Sequence, residues 1–421
     1  MYRQRLDRVF GDDVLAKTVY DAHGRPLLRA GVTLGARYVT ALRGRGIDTV
    51  YVRDGLADDL APRDLISEHV RATISSHVAT TFAAIADAGR ARHADSPRDE
   101  HLSVDDAAAR LGEQPLDLGA DGGDLVAQLH TDVNTLIADI LASETIAGLD
   151  SLRSHNEYTF QHSVDVAALG VLLGRQLALD EDLLHHLALG CLLHDIGKMY
   201  IDTAILDKPG RLDPEEFALV QEHPRMGFEL CRRMPIASLL PAHVAYQHHE
   251  QQAGGGYPRG LVGTNTVGPR TDTETLHPGR MLLIAEIAAV ADVFSALSSD
   301  RPYRDAMAPD QVLDLLGKMA GSHLNRDVVT SLTKIVPRYP VGTWVQVHGG
   351  HFDGWRGVVA EVTHRDLDRP TIRLHLDANG ESVDGAPVLN LRAAPDVRAT
   401  CLARHEEPLV MRPAERPPVP G

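Results

Sequence analysis

Three short stretches hold the side chains best suited to chemistry: LLHDIGK at 192–198, QEHP at 221–224 and QHHEQQAGGGYP at 247–258. His194 and Asp195 are adjacent in an otherwise apolar stretch that reads as helix, and Lys198 lies four residues beyond His194, on the same helical face. A histidine, a carboxylate and a lysine among apolar residues are costly unless paired or metal-bound. His162 opens the apolar run in TFQHSVDVA, His223 precedes a proline, and His248 and His249 end a helical pattern with Glu250 behind them. Each of these alone is as ordinary as any core or surface histidine. Asp292, a lone acid in AAVADVFSAL, is harder to house, because an unpaired buried carboxylate is expensive.

Taken together, His162, His194, Asp195, His223, His248, His249 and Asp292 are five imidazoles and two carboxylates, more than one metal needs. They suit two divalent ions with Asp195 bridging them. Nitrogen and oxygen donors without thiolate favour Fe, Mn, Co, Ni or Zn. Two such ions, ~3.5–4 Å apart, can hold a bridging water, lower its pKa and clamp a phosphoryl group. Lys198 is then placed to neutralise a phosphate oxygen.

Helices must position these residues. From Asp124 to about Val336 apolar residues recur at helical spacing, in LVAQLHTDVNTLIADIL, SVDVAALGVLLGRQLAL, LLHHLALGCLLHDIGK and LLIAEIAAVADVFSAL among others. Residues 14–53 read as short strands around one helix, residues 62–93 as helix, and 94–122 as an acidic, glycine-containing connection. After Val341, the alternating runs GTWVQVH, GVVAEVT, TIRLHLD and PVLNL predict a small β-barrel or meander. The expected architecture is multidomain and mainly α. A small mixed α/β regulatory unit occupies 1–60, a helical and acidic linker 61–122, an all-helical catalytic domain 123–337, a small β domain 338–400 and a disordered tail 401–421.

Composition narrows the function classes. No apolar run reaches the ~18 residues that cross a bilayer. The longest, Met281 to Leu297, is broken by Glu286 and Asp292. The N-terminus lacks the apolar stretch of a signal peptide, so a cytoplasmic protein without membrane contact is expected. The formal charge of −16 disfavours duplex nucleic acid, which needs a basic face, yet leaves room for a small anion in a local basic pocket. Cys191, Cys231 and Cys401 stand in no CxxC spacing, which argues against a disulfide framework or thiolate zinc and for three reduced, mostly buried thiols. The 22 histidines thicken between Asn156 and Glu250.

The ordered series HSVDVA, HDIGK, HP, HHE, GYP, AVADVFSAL and RPYR, spanning roughly Asp124 to Val336, resembles the HD-GYP family, a branch of the HD superfamily of metal-dependent phosphohydrolases. The resemblance implies an all-helical catalytic domain that hydrolyses cyclic dinucleotides, chiefly cyclic di-GMP, to linear pGpG and often GMP in bacterial second-messenger signalling. It implies that the seven residues above bind two divalent metal ions, Fe or Mn first, with Ni, Co or Zn as other occupants. It assigns Asp195 and Lys198 to catalysis, and Lys198, Tyr257, Arg301 and Arg304 to the substrate. Arg304 stands where a lysine is sometimes seen, a mild change at a phosphate contact.

The sequence departs from the family pattern in three places. The loop usually written HHERxDGxGYP has Gln251 and Ala253 for its arginine and aspartate, which removes a pair that could brace it. Tyr158, four residues before His162, stands where three-metal members carry glutamate, which favours two metals. Residues 262–280 form a longer, polar link than usual, either a lid or an indifferent insertion. The loop changes favour an alternative function, a catalytically weak module that binds a cyclic dinucleotide or a partner protein as effector. The complete ligand set speaks against it. A third reading keeps the chemistry and changes the nucleotide. The flanking units are expected to regulate or assemble, with a homodimer through the preceding helices or a signalling partner as candidates. Trp344 and Trp355 read first as packing within the β unit.

Overall fold

The computed structural model describes residues 2–402, apart from 92–115, 117, 119–121, 143–158, 269–278, 300–305 and short gaps at 10, 22–24, 46, 48, 54–59, 61–64 and 209. The N-terminal unit has four short strands, β1 (Tyr2–Arg5), β2 (Val19–Tyr20), β3 (Pro26–Leu28) and β4 (Thr49–Val52), and one helix, α1 (Ala36–Arg43). They form two antiparallel pairs, β1 with β4 and β2 with β3, around Leu6, Leu15, Leu34, Leu42, Val50 and Val52. Strand β1 is not foreseen by its sequence, YRQR, which has no apolar alternation.

The central region is helical: α2 (Glu68–Ala91), α3 (Gly122–Ala142), α4 (Thr159–Gln176), α5 (Glu181–Leu193), α6 (Thr203–Leu206), α7 (Pro214–Val220), α8 (His223–Cys231), α9 (Leu240–Gln247), α10 (Leu283–Ser298), α11 (Pro309–Met319) and α12 (Arg326–Thr333). Their starts are chemically marked. Asp180 caps α5 by accepting from the Leu183 amide at 2.8 Å, and Asp213 and Glu216 close a reciprocal capping box around Pro214 at α7. Helix α4 is buried on all sides from Ser163 to Gly174, and α2, α5 and α10 pack against it.

Helix α2 corrects the expectation of a linker over 61–122. Ile74, Val78, Phe82 and Ile85 form one apolar stripe that enters the main core. Phe82 meets Phe160 of α4 edge to face at 5.3 Å, worth about 0.5–1.5 kcal/mol beyond burial. The Arg71 guanidinium donates to Asp165 of α4 at 2.5 Å, and burial pushes that carboxyl up to about 7 against the pull of the arginine. The acidic connection expected over 94–122 lies largely outside the described residues.

The C-terminal unit is one antiparallel five-stranded sheet: β5 (Trp344–His348), β6 (Arg356–Thr363), β7 (Asp366–Leu376), β8 (Val388–Asn390) and β9 (Arg398–Cys401), in the order β8-β7-β6-β5-β9. Strands β8 and β9 lie at opposite edges, so among the described residues the sheet is an open meander with an added edge strand and does not close into a barrel. Its core is Val345, Val347, Val359, Ile372 and Leu374. Trp344 is buried and Trp355 packs on Phe352. Cys401 belongs to β9 and Leu402 is buried, so the expected tail begins no earlier than 403. The sheet docks on the helices through Asp310, which accepts from the Cys401 amide at 3.0 Å. All three cysteines are buried and outside any disulfide, and burial pushes the Cys231 thiol up to about 12. No helix among the described residues is long and apolar enough to cross a membrane.

Candidate metal centre

The seven expected ligands come from five chain segments, most of them at helix ends. His162 lies in the first turn of α4, His223 opens α8, His248 caps the end of α9 with His249 next, and Asp292 lies within α10. His194 and Asp195 correct the expectation of a continuous helix. Helix α5 stops at Leu193, and a 3-10 turn, Ile196–Tyr200, follows Asp195. Gly197 is the reason the chain can turn here: a Cβ would collide with the His223 carbonyl oxygen, so this glycine lets the turn press against α8. Lys198 therefore meets Asp195 across the 3-10 turn, donating to Oδ2 at 2.6 Å.

The structure brings all seven residues together. Asp292 Oδ1 is 3.0 Å from His162 Nε2. Asp195 reaches in two directions, with Oδ2 3.4 Å from His194 Nε2 and Oδ1 3.4 Å from His223 Nε2 and 3.9 Å from His248 Nε2. Three overlapping groups each offer ligand atoms within 4.8 Å of one another: His223, His248 and His249; His162, His194 and Asp292; His194, Asp195 and His248.

Four imidazoles are aimed by their outer nitrogens. Nδ1 of His194 donates to the Cys191 carbonyl at 2.7 Å, that of His223 to Val220 at 2.7 Å and that of His248 to Ala245 at 2.9 Å. Nδ1 of His162 is 3.0 Å from Ser295 Oγ. A carbonyl only accepts, so these ties leave the Nε2 lone pairs of His194, His223 and His248 facing the centre. His194 Nε2 and Asp195 Oδ1 are buried and make no hydrogen bond. Buried polar atoms without a partner are rare in folded proteins, and both residues belong to the group His194, Asp195 and His248 whose ligand atoms lie within 4.8 Å of one another.

Electrostatics favour a cation. Burial lowers His223 and His249 to about 3 and takes His162 and His248 below the usual imidazole range, so these rings are neutral donors at pH 7. Burial alone would raise Asp195 and Asp292. The surrounding histidines, together with Lys198 for Asp195 and the His162 hydrogen bond for Asp292, hold both well below the usual carboxylate range. Neutral imidazoles around two ionised carboxylates, with no thiolate, fit hard or borderline divalent ions.

The GYP loop follows directly. Tyr257 stacks on His249 with ring centres 4.8 Å apart, and Glu250 accepts from the amides of Arg259 and Leu261 at 2.7 Å each. Gly256 packs so closely on the His249–Gln251 backbone that any side chain there would collide with it. Sequence reasoning missed the brace that stands in for the absent Arg–Asp pair. Gln252 is buried and donates to Glu286 Oε1 at 3.0 Å while accepting from the Asn265 amide at 2.9 Å. Asn325 donates to Glu286 Oε2 at 3.1 Å, and Asn265 ties back to Gly321 and Arg326. Residues 262–268 of the insertion are thus clamped between the loop and the start of α12. The available signal was Glu286 itself, a second acid inside the apolar run of α10. Ser295 was likewise missed, since a serine in a helix carries no signal of its own. Tyr158, Arg301 and Arg304 lie outside the described residues.

The chain is similar to known proteins over its helical region. Residues 146–267 match the HD domain. A cyclic di-GMP phosphodiesterase of Pseudomonas aeruginosa is 34% identical over 273 residues, covering 65% of this chain and 59% of its own. The 3'3'-cGAMP-specific phosphodiesterase 3 of Vibrio cholerae is 35% identical over 183 residues, 44% of this chain and 36% of its own. The cyclic di-GMP phosphodiesterase response regulator RpfG of Xanthomonas campestris is 35% identical over 164 residues, 39% of each chain. The HD match spans six of the seven clustered residues, from His162 to His249, and over its helical region the chain is similar to these cyclic-dinucleotide phosphodiesterases. It spans less than two thirds of the length of each of these relatives.

Proposed function

We propose that this protein is a metal-dependent phosphodiesterase that hydrolyses cyclic di-GMP to pGpG, GMP or both. The observation that carries the reading is the convergence of Nε2 lone pairs and carboxylate oxygens around Asp195, with His194 Nε2 and Asp195 Oδ1 buried and unpartnered. His162, His194, Asp195, His223, His248, His249 and Asp292 would hold two divalent ions, Fe or Mn first, with Asp195 shared between them. When bound, the ions supply Lewis acidity to an in-line displacement at phosphorus. The residues of the chain do the rest. The backbone ties at Nδ1 keep the donor set preorganised. Lys198, part-exposed and fixed by Asp195, puts a positive charge where a phosphoryl oxygen gains negative charge. Tyr257, held against His249, forms one wall for the substrate, and Arg301 and Arg304 are assigned to its phosphates.

The names of the relatives support both cyclic di-GMP and, for one of them, 3'3'-cGAMP as substrate classes. The test is to purify the protein anaerobically, count metal per chain and follow both cyclic dinucleotides with and without Fe(II) or Mn(II). Linear pGpG in a metal-dependent reaction is the expected result. Faster cleavage of 3'3'-cGAMP reassigns the substrate, and metal uptake without cleavage of either favours an effector-binding module.

A further inference from the structure

Helix α2 lies outside the segment that matches the HD domain, yet it holds α4 at two points, one on either side of His162 in the chain. Before His162, Phe160 meets Phe82 edge to face at 5.3 Å. After it, Asp165 accepts from the Arg71 guanidinium at 2.5 Å. The same helix lies against the turn Ile196–Tyr200, which carries Lys198. One element outside the match therefore touches two of the segments that build the centre.

The rest of α4 is sheathed in apolar side chains, with Val164, Val166, Ala167 and Leu169 fully buried. Apolar burial is non-directional, so it adheres the helix without naming one rotation about its axis. The Arg71–Asp165 hydrogen bond is directional. Asp165 is fully buried, and a buried acceptor that loses its donor costs about 1–3 kcal/mol. A rotation of α4 that carries Asp165 off Arg71 is therefore penalised. His162 stands three residues before Asp165, one turn away on the same side of the helix, so it turns with it. A carboxyl oxygen accepts whether the group is ionised or protonated, so the tie does not depend on titration. Resting on the reading of His162 as a metal ligand, we infer that Arg71 is a positioning residue: through Asp165 it fixes the rotation of α4, and with it the place of His162 in the centre.

The test compares the full chain with Arg71→Lys, Arg71→Met and the double variant Arg71→Met/Asp165→Leu. It reads the thermal midpoint, Mn(II) affinity by competition with a chelator, and amide hydrogen exchange over residues 160–166. Replacing both partners by apolar side chains removes the unpaired carboxyl, so the double variant is expected to melt near wild type. Its stability returns but its register does not: one Mn(II) site is expected about 10-fold weaker, and exchange over 160–166 about threefold faster. Arg71→Lys, which keeps a donor, is expected within about threefold of wild-type affinity. A double variant that regains the melting point together with wild-type affinity and exchange overturns the inference, because the pair then serves stability alone. Should the double variant fail to fold, the single variants decide, and wild-type affinity and exchange in Arg71→Met, or an equal loss in Arg71→Lys and Arg71→Met, overturns it as well. A wild type that takes up no Mn(II) refutes the metal reading separately, and hydrogen exchange still decides whether Arg71 fixes α4.

Discussion

His185 and His194 lie on one helix and its cap, nine residues apart, about two and a half turns, so they face opposite sides. On the outer side, His185 stacks on His130, with Nε2 2.7 Å from that ring's Nδ1, and its own Nδ1 is 3.2 Å from Asn134 Oδ1. Close by, His77 Nδ1 lies 3.0 Å from both oxygens of Asp132. On the inner side, His194 has Nδ1 tied to the backbone and Nε2 left without a hydrogen bond. Both clusters are rich in histidine, and the outer one even has a histidine–aspartate pair. They differ in what is left over. The outer groups satisfy one another, while in the inner cluster His194 Nε2 and Asp195 Oδ1 are left buried without a hydrogen bond. Density of histidine does not mark the site; unsatisfied and well-aimed donor atoms do.

The sharpest way to break this contrast is Asp195→Ala. Removing the carboxylate shared by His194, His223, His248 and Lys198 is expected to lower turnover at least ~10³-fold, since such sites supply several kcal/mol. Metal content measured on the same sample should fall below that of wild type. Acidification is the next largest effect. In the metal-free fold His223 and His249 titrate at about 3, against about 6.5 in an unfolded chain. Between those values the unfolded chain binds more protons. The stability contributed by the neutral rings is complete above about pH 6.5 and is lost as pH falls towards 3. Urea midpoints of the metal-free protein should drop steadily from pH 7 to 4.5, and a flat profile would contradict the buried, neutral state.

Gln252→Leu should have an intermediate effect. It leaves the Glu286 carboxylate short of a donor and the Asn265 amide without its acceptor, a cost of about 1–3 kcal/mol. Because the brace supports the loop and not the donor atoms, metal content should hold while KM for the cyclic dinucleotide rises. Loss of metal instead would place the brace inside the centre. The smallest effect belongs to the outer cluster: His185→Ala should change stability by less than about 1 kcal/mol and leave metal uptake intact. A lost metal ion in that variant would erase the distinction between the two clusters.

Much of the centre was legible from the sequence because each ligand stands against its background. A charged or polar residue inside an apolar helix, such as Asp292 or His194, announces a cost that something must offset. The helices α4, α5 and α10 were legible for the same reason, as long apolar runs. What escaped was whatever depends on a partner distant in sequence. Ser295 and Gln252 are unremarkable until His162 and Glu286 are placed beside them. The end of α5 was misread because the sequence pattern does not reveal that Gly197 must press against His223. Strands β1 and β9 were missed since YRQR and RATC are short and mostly polar, and pairing with a neighbour defines them.

Helix α2 gives the fold a mechanical property. Lys17 of the N-terminal unit bridges to Glu68 at its first residue at 3.7 Å, and one turn on, Arg71 grips Asp165, which lies one turn from His162. Fourteen residues further along, Ile85 is still in the core. The helix is a stiff rod of about 36 Å, counted from its 24 residues. The recurring segment 146–267 contains none of it, nor the α10 helix that bears Asp292 and Ser295. The segment that matches the HD domain is therefore narrower than the helical body that shares one core. A fragment trimmed to that signature would strip Phe160 of its aromatic neighbour and Asp165 of its guanidinium. In the described chain, α2 thus joins Lys17 of the N-terminal unit, through Glu68, to Asp165 on the helix that bears His162.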